Sequence, residues 1–244
     1  MVSKKLANKY QYDDLLIRSK DPYANAKYEV LLGWLKNKKV RTVLNAGCGS
    51  GEFCFMLAKE GYKVTGIDPD QDYIELARRN VDKSGVRGCR FETAKIEEFV
   101  AKVKYDVVIA TDVLEHIEDD EKAFVKLANF VKPGGIVLIT VPAGQYLFGY
   151  HDVKLGHYRR YSLKSFGEIV PSGVRTKKLR YFGFFMIPVA LLMSKIIKKS
   201  YPVASSGDAN KSPLVSRVLK VIFWIEKKCE FVLGTSLLFL GKKK

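Results

Sequence analysis

Cysteine is scarce and dispersed: Cys48, Cys54, Cys89 and Cys229 are the only four, and no two form a C-x-x-C pair. This excludes a paired-cysteine zinc site and a disulfide framework, and suits a reducing compartment. A membrane-spanning run is missing too. The uncharged segment Phe182 to Met193 is shorter than the roughly 20 residues a bilayer needs, and Pro188 interrupts it. The opening residues, Met1 to Leu6, pass directly into polar sequence, so no secretory signal is expected. Acidic residues are rare only toward the end. Residues 1–150 hold 23 Lys and Arg against 21 Asp and Glu; residues 151–244 hold 19 against 5. The net charge of +16 therefore belongs mostly to the C-terminal third. Such asymmetry points to a polyanionic partner, either nucleic acid or an anionic membrane surface. No internal repeat is visible.

What is present is a strand, a glycine turn and a helix start. Val43-Leu44 reads as a buried parallel strand, and Asn45-Ala46-Gly47-Cys48-Gly49-Ser50-Gly51 as the turn. Glu52 to Lys59 has helical spacing, with Phe53, Met56 and Leu57 on one face. This arrangement makes a nucleotide-type site at the carboxyl edge of a sheet. The dinucleotide fingerprint needs a third glycine where Glu52 stands, which disfavours a nicotinamide dehydrogenase. No Lys-Ser/Thr pair follows the glycines, so a Walker loop is excluded. The next strand, Lys63 to Ile67, ends at Asp68-Pro69, where a carboxylate can accept both hydroxyls of a ribose. The ligand suggested is a nucleoside without a phosphate chain.

Asn45 to Gly51, Asp68 and the later Thr111-Asp112-Val113-Leu114-Glu115-His116 resemble the class I S-adenosylmethionine (SAM) methyltransferases, closest to the small-molecule and lipid branch that includes the quinone-biosynthesis O-methyltransferases. The resemblance covers residues 40 to 142 well and the remainder weakly. It implies an α/β, Rossmann-like fold. That fold has a seven-stranded, mainly parallel sheet, helices on both faces, and a helical insertion before an antiparallel last strand. It implies SAM as cofactor, held by Asn45, Ala46, Gly47, Cys48, Gly49, Gly51, Asp68, Pro69, Thr93, Ala94, Thr111, Asp112 and Val113. Thr93 replaces the acid that family members often carry before Ala94. In the quinone enzymes the acidic residues and histidine of the Asp112–His116 segment are implicated in a divalent metal; no metal ligand is assigned to this chain.

The remaining elements follow from periodicity and punctuation. Helices are expected from Asp21-Pro22 to about Asn37, over Gln71 to Asn80, briefly at Glu97 to Phe99, over Asp120 to Val131, and from the Ser162 cap through Val170. Strands are expected at 90–92, 105–110, 136–141, 175–181 and 235–240. The whole chain reads as one domain, with residues 1–38 as an N-terminal cap region and 182–234 as the insertion. The insertion holds the apolar stretch to Met193, a polar linker at Ser200 to Pro213, and a helical stretch from Leu214 to Leu233. Its basic flanks, Lys177, Lys178 and Arg180 before and Lys195, Lys198 and Lys199 after, suit a helix lying in an anionic interface.

All three histidines, His116, His151 and His157, follow strands four or five, and histidine is the side chain most easily poised as a base near neutral pH. They are the candidate catalytic residues. Arg159, Arg160 and Tyr161 are candidates to grip the acceptor. The expected activity is methyl transfer from SAM to a small, lipophilic or lipid-linked acceptor, with oxygen favoured. The expected location is cytoplasmic, peripheral on the inner face of a membrane. A nucleic-acid methyltransferase is the alternative. It is disfavoured because Thr111-Asp112-Val113-Leu114 stands where base amino-methyltransferases carry Asn/Asp-Pro-Pro-Tyr/Phe. A SAM-fold scaffold that binds a partner through the insertion is the other. Oligomeric state is not legible.

Overall fold

The computed structural model describes residues 21–197 and 213–244. Residues 1–20 and the linker expected from Ser200 lie outside the described residues, apart from Pro213.

The first helix, α1 (Pro22–Leu35), starts where Asp21 accepts the Tyr23 amide at 2.8 Å and Pro22 fills the first turn. Then come β1 (Thr42–Ala46), α2 (Glu52–Lys59), β2 (Lys63–Asp68), α3 (Gln71–Ser84), β3 (Cys89–Thr93) and β4 (Tyr105–Thr111). They are followed by α4 (Asp120–Asn129), β5 (Val131–Pro142), α5 (Tyr150–Leu155), α6 (Leu163–Glu168) and β6 (Val174–Phe182). The last elements are α7 (Ile187–Leu191), α8 (Pro213–Lys228) and β7 (Ser236–Lys243).

The sheet has seven strands in the order β3-β2-β1-β4-β5-β7-β6. The first five are parallel, and β7 runs antiparallel between β5 and β6. Alternation along each strand feeds two cores. Leu44, Val108, Phe124, Phe166 and Phe239 fill one face, and Leu31, Val43, Leu57, Ile74 and Phe182 fill the other. The chain leaves β1 toward β2 on one side and meets β4 on the other. The crevice at this reversal, outside the carboxyl ends, is where open α/β sheets bind ligands.

Two expectations are corrected locally. Residues 97–99 form a turn, closed by the Phe99 amide on the Lys95 carbonyl at 2.9 Å, not a helix; the segment is too short to repay helix nucleation. Strand β5 begins at Val131, not Ile136, because Lys132-Pro133-Gly134-Gly135 forms a bulge between the Tyr105–Val131 and Val107–Ile136 pairs. A Cβ on Gly135 would sit 2.7 Å from the Asp106 carbonyl, so the bulge needs glycine there.

Candidate functional site

A cavity of about 670 Å³ opens at the carboxyl ends of β1, β2 and β4. Gly47, Gly49, Asp68, Pro69, Ala94, Thr111, Asp112 and Val113 line one end of it. His116, His151, His157 and Arg160 line it further along. The wall there is completed by Met186, Val189 and Ala190, which come from the insertion.

At the glycine turn, Gly47 has φ +69°, and a Cβ there would run into Val113 Cγ2. The Gly47 and Cys48 amides donate to the Ile67 carbonyl at 2.8 and 3.0 Å, which ties the turn to β2. Asp68 ends β2 with its carboxylate fixed. Oδ2 accepts the Gly49 amide and Oδ1 the Asp70 amide, both at 3.0 Å. Burial pushes Asp68 up to about 6, against the two amides that favour its charged form. It is therefore a buried carboxylate with acceptor capacity to spare, facing the cavity.

Other residues expected at the cofactor lie behind this wall. Asn45 is buried and donates to Cys54 Sγ at 3.3 Å; Ala46 and Cys48 belong to the two cores. Gly51 caps α2 and packs toward Phe55, Ala77 and Phe91. Thr93 hydrogen-bonds Gln71 at 2.5 Å instead of facing the cavity.

Asp112 is the one described non-glycine residue besides Asn37 with positive φ, +55°. Its carboxylate is held by Lys27 Nζ at 2.5 Å and Thr140 Oγ1 at 2.9 Å. Lys27 is buried on α1 and lies 5.2 Å over the Tyr23 ring. Tyr23 in turn donates to Ser236 Oγ at 2.9 Å, joining α1 to the start of β7. Sequence reasoning did not find Tyr23 and Lys27. The signal was a lysine one turn after a tyrosine on an otherwise apolar helix face.

The histidine end is organised by Asp152, to which the sequence assigns no role of its own. Asp152 Oδ1 meets His157 Nδ1 at 2.9 Å and accepts Arg160 Nε at 2.7 Å, while Oδ2 accepts the Gly149 amide at 3.0 Å. Burial would raise its carboxyl, but His157 and Arg160 outweigh that and hold it down at about 2. An ionised Asp152 favours the proton on His157 Nδ1 and leaves Nε2 to accept. The His116 and His157 rings meet edge to face, 4.6 Å between centroids.

Two residues expected at the acceptor make contacts elsewhere. Arg159 binds Asp120 Oδ1 and the Glu118 carbonyl, each at 2.7 Å; Tyr161 donates to Asp120 Oδ2 at 2.6 Å. The Asp120 carboxylate thus anchors the loop after β5 to α4. Arg160 does line the cavity, with its guanidinium committed to Asp152.

The resemblance raised Asp112, Glu115 and His116 as metal-associated. Asp112 faces Lys27 and Thr140. Among the described residues, Glu115, His116 and His157 bring their ligand atoms within 4.8 Å of one another. A fully buried glutamate beside two imidazoles fits a divalent cation by donor chemistry.

Residues 37–159 match the family model described as a methyltransferase domain. The chain is similar to the ubiquinone biosynthesis O-methyltransferase of Rickettsia canadensis, 27% identical over 173 residues, covering 65% of this chain and 73% of that protein. It is 34% identical over 141 residues to the protein of that name in Klebsiella pneumoniae, covering 50% of this chain and 57% of that one. Among solved structures it resembles phosphoethanolamine N-methyltransferase 2 of Haemonchus contortus in complex with SAM. The TM-score is 0.62 at 20% identity, over 90% of this chain and 52% of that one. It also resembles the N-methyltransferase NodS of Bradyrhizobium japonicum in complex with S-adenosyl-L-homocysteine. Here the TM-score is 0.59 at 14% identity, over 91% and 88%. With the sheet order, the cavity at the switch point and the family model in agreement, this chain belongs to the class I methyltransferases, which take SAM as methyl donor.

Proposed function

We propose that the chain transfers the SAM methyl group to a hydroxyl of a small, lipophilic acceptor drawn from an anionic membrane surface. The observation that carries this reading is the continuity of one cavity from Asp68, past Asp112, to His157 and the apolar side chains of the insertion. The printed names of the relatives, O-methyltransferases, favour oxygen.

In this reading Asp68 clasps the ribose, and the Gly47–Val113 contact shapes the floor beneath the nucleoside. Ala94 would lie beside the adenine, and Thr111 and Asp112 beside the methionine part. The reaction is an in-line displacement: the acceptor oxygen bonds the methyl carbon as the carbon–sulfur bond breaks, and the sulfonium becomes a neutral thioether. His157 Nε2 takes the hydroxyl proton, and the ionised Asp152 stabilises the imidazolium. Alignment supplies on the order of 7–11 kcal/mol of the barrier reduction, and the base about 10²–10⁴-fold. His116 and His151 border the acceptor space.

The membrane contact rests on the insertion. Val189, Leu191, Leu192 and Ile196 are exposed on α7 and the turn after it, as are Val218, Val221 and Trp224 on α8. Lys195, Arg217, Lys220, Lys227 and Lys228 alternate with them along the sequence, and Lys228 Nζ lies 4.2 Å over the Trp224 ring. Apolar side chains rimmed by cations suit an anionic interface. No helix of the described residues is long and apolar enough to cross a membrane.

A second reading is favoured by the Glu115–His116–His157 grouping: these residues would hold a divalent cation, which supplies Lewis-acid polarisation of the acceptor hydroxyl. Methyl-labelled SAM incubated with fractionated lipids and with RNA tests the main proposal. Label in a lipid-soluble ether, and co-sedimentation with anionic vesicles that Trp224→Glu weakens, are expected. Label in RNA, or no vesicle binding at low salt, overturns it.

A further inference from the structure

The opposite end of the sheet, at the amino ends of β1, β4 and β5, carries a second concavity of about 880 Å³. Its walls are unusually cationic. Lys36, Lys38 and Lys39 enter from the segment joining α1 to β1, Lys132 from the β5 bulge, and Lys242 from the end of β7. Lys177 and Lys178 enter from β6. Neighbouring strand residues normally face opposite sides, but β6 has a register shift between Thr176 and Lys178, and both lysines line the cleft. Among the described residues, the one carboxylate in the wall is Asp106. It accepts Lys132 Nζ at 2.7 Å and the Arg41 and Thr42 amides at 2.9 Å. The floor is backbone-rich, with Gly33, Gly134 and Gly135, and Trp34 forms an aromatic side with Lys178 Nζ 5.6 Å over its ring.

We propose that this cleft is a binding site for a compact, multiply charged phosphate compound, independent of the methyl-transfer cavity. Seven lysines facing one neutralised carboxylate focus positive potential into a concave space. Its volume falls in the range of small-molecule pockets, about 300–1,000 Å³. A bilayer is too flat to follow the concavity, and among the described residues no large exposed apolar side chain lines it to enter one. Gly33, Gly134 and Gly135 add no side chain to narrow the cleft. Trp34 offers a face to any ring attached to them.

Inorganic tripolyphosphate and ATP, titrated into the full chain at about 0.1 M salt, where screening acts over about 10 Å, test this. Trp34 fluorescence, assigned with a Trp34→Phe variant, is the readout. The expected result is saturable one-to-one binding. The variant Lys38→Gln/Lys178→Gln/Lys242→Gln weakens it at least tenfold and leaves S-adenosylhomocysteine affinity unchanged. A control triple at exposed Lys59, Lys83 and Lys164 leaves it unchanged. ATP binding more tightly than tripolyphosphate identifies a nucleotide; equal affinities identify the phosphate chain alone. Loss of equal size in the control triple, binding to anionic vesicles or RNA but to neither small anion, or no binding at all overturns the proposal.

Discussion

Asp68→Asn should make the protein more stable and its cofactor weaker at once. The Asp68 carboxyl, raised to about 6 by burial, is more easily protonated in the folded chain than in the unfolded one. A carboxylate raised in this way contributes stability that is fully present below its unfolded value near 4 and is lost as pH rises through about 6. Above pH 6 the folded chain therefore carries a penalty of about 3 kcal/mol, from the gap between the two values at 1.36 kcal/mol per pH unit. Asparagine removes the charge and keeps one oxygen for the Gly49 or Asp70 amide. The lost amide bond costs about 1 kcal/mol, leaving a net stabilisation of about 1–2 kcal/mol at pH 7.5. Ribose hydroxyls that donated to a carboxylate now meet one neutral oxygen. Losing about 2–4 kcal/mol of charge-assisted bonding weakens SAM or its product about 30- to 1000-fold. Denaturant unfolding and calorimetric titration with S-adenosylhomocysteine read the two effects. In the wild type, ribose binding should also pull the Asp68 proton off, so titration near pH 6 releases a proton to the buffer. Affinity within threefold of wild type would refute the ribose assignment. Destabilisation beyond about 1 kcal/mol would make Asp68 a turn-holding residue instead.

His157→Ala should lower kcat about 10²–10⁴-fold while the Kd for S-adenosylhomocysteine stays within twofold, as stopped turnover and calorimetry would show. His151→Ala should cost less, because Asp152 orients His157. Lys27→Met removes the cation paired with the Asp112 carboxylate and should cost about 3 kcal/mol in denaturant unfolding, while Lys27→Met/Asp112→Asn should cost less than the single change. Dialysis against a chelator separates the two readings of the histidine end. Full activity afterwards supports His157 as the base; loss restored by a divalent cation supports the Glu115–His116–His157 ligand set.

The part of the molecule whose residues are fixed by backbone demands was legible in the sequence. The turn at Gly47, the carboxylate closing β2 and the apolar runs of β4 and β5 each satisfy a local requirement that leaves a pattern in residue type. The site's far side was not legible, because it depends on pairs distant along the chain. Lys27 and Asp112 are 85 residues apart, and Arg159 and Asp120 are 39 apart. Nothing local distinguishes an arginine that grips a ligand from one that ties a loop to a helix, so Arg159 and Tyr161 read as acceptor residues until Asp120 was seen to hold both. Asp152 was hidden for the converse reason: it stood beside His151 in sequence but serves His157 and Arg160 in space. The bulges in β5 and β6 were obscured in the same way, since a register shift shows only against the partner strand.

A crystal structure of the chain with S-adenosylhomocysteine tests the central claim most directly. Both ribose hydroxyls should bond the Asp68 carboxylate, and the thioether sulfur should point along the cavity toward His157. A nucleoside seated elsewhere, or a sulfur pointing away from the histidines, would contradict it.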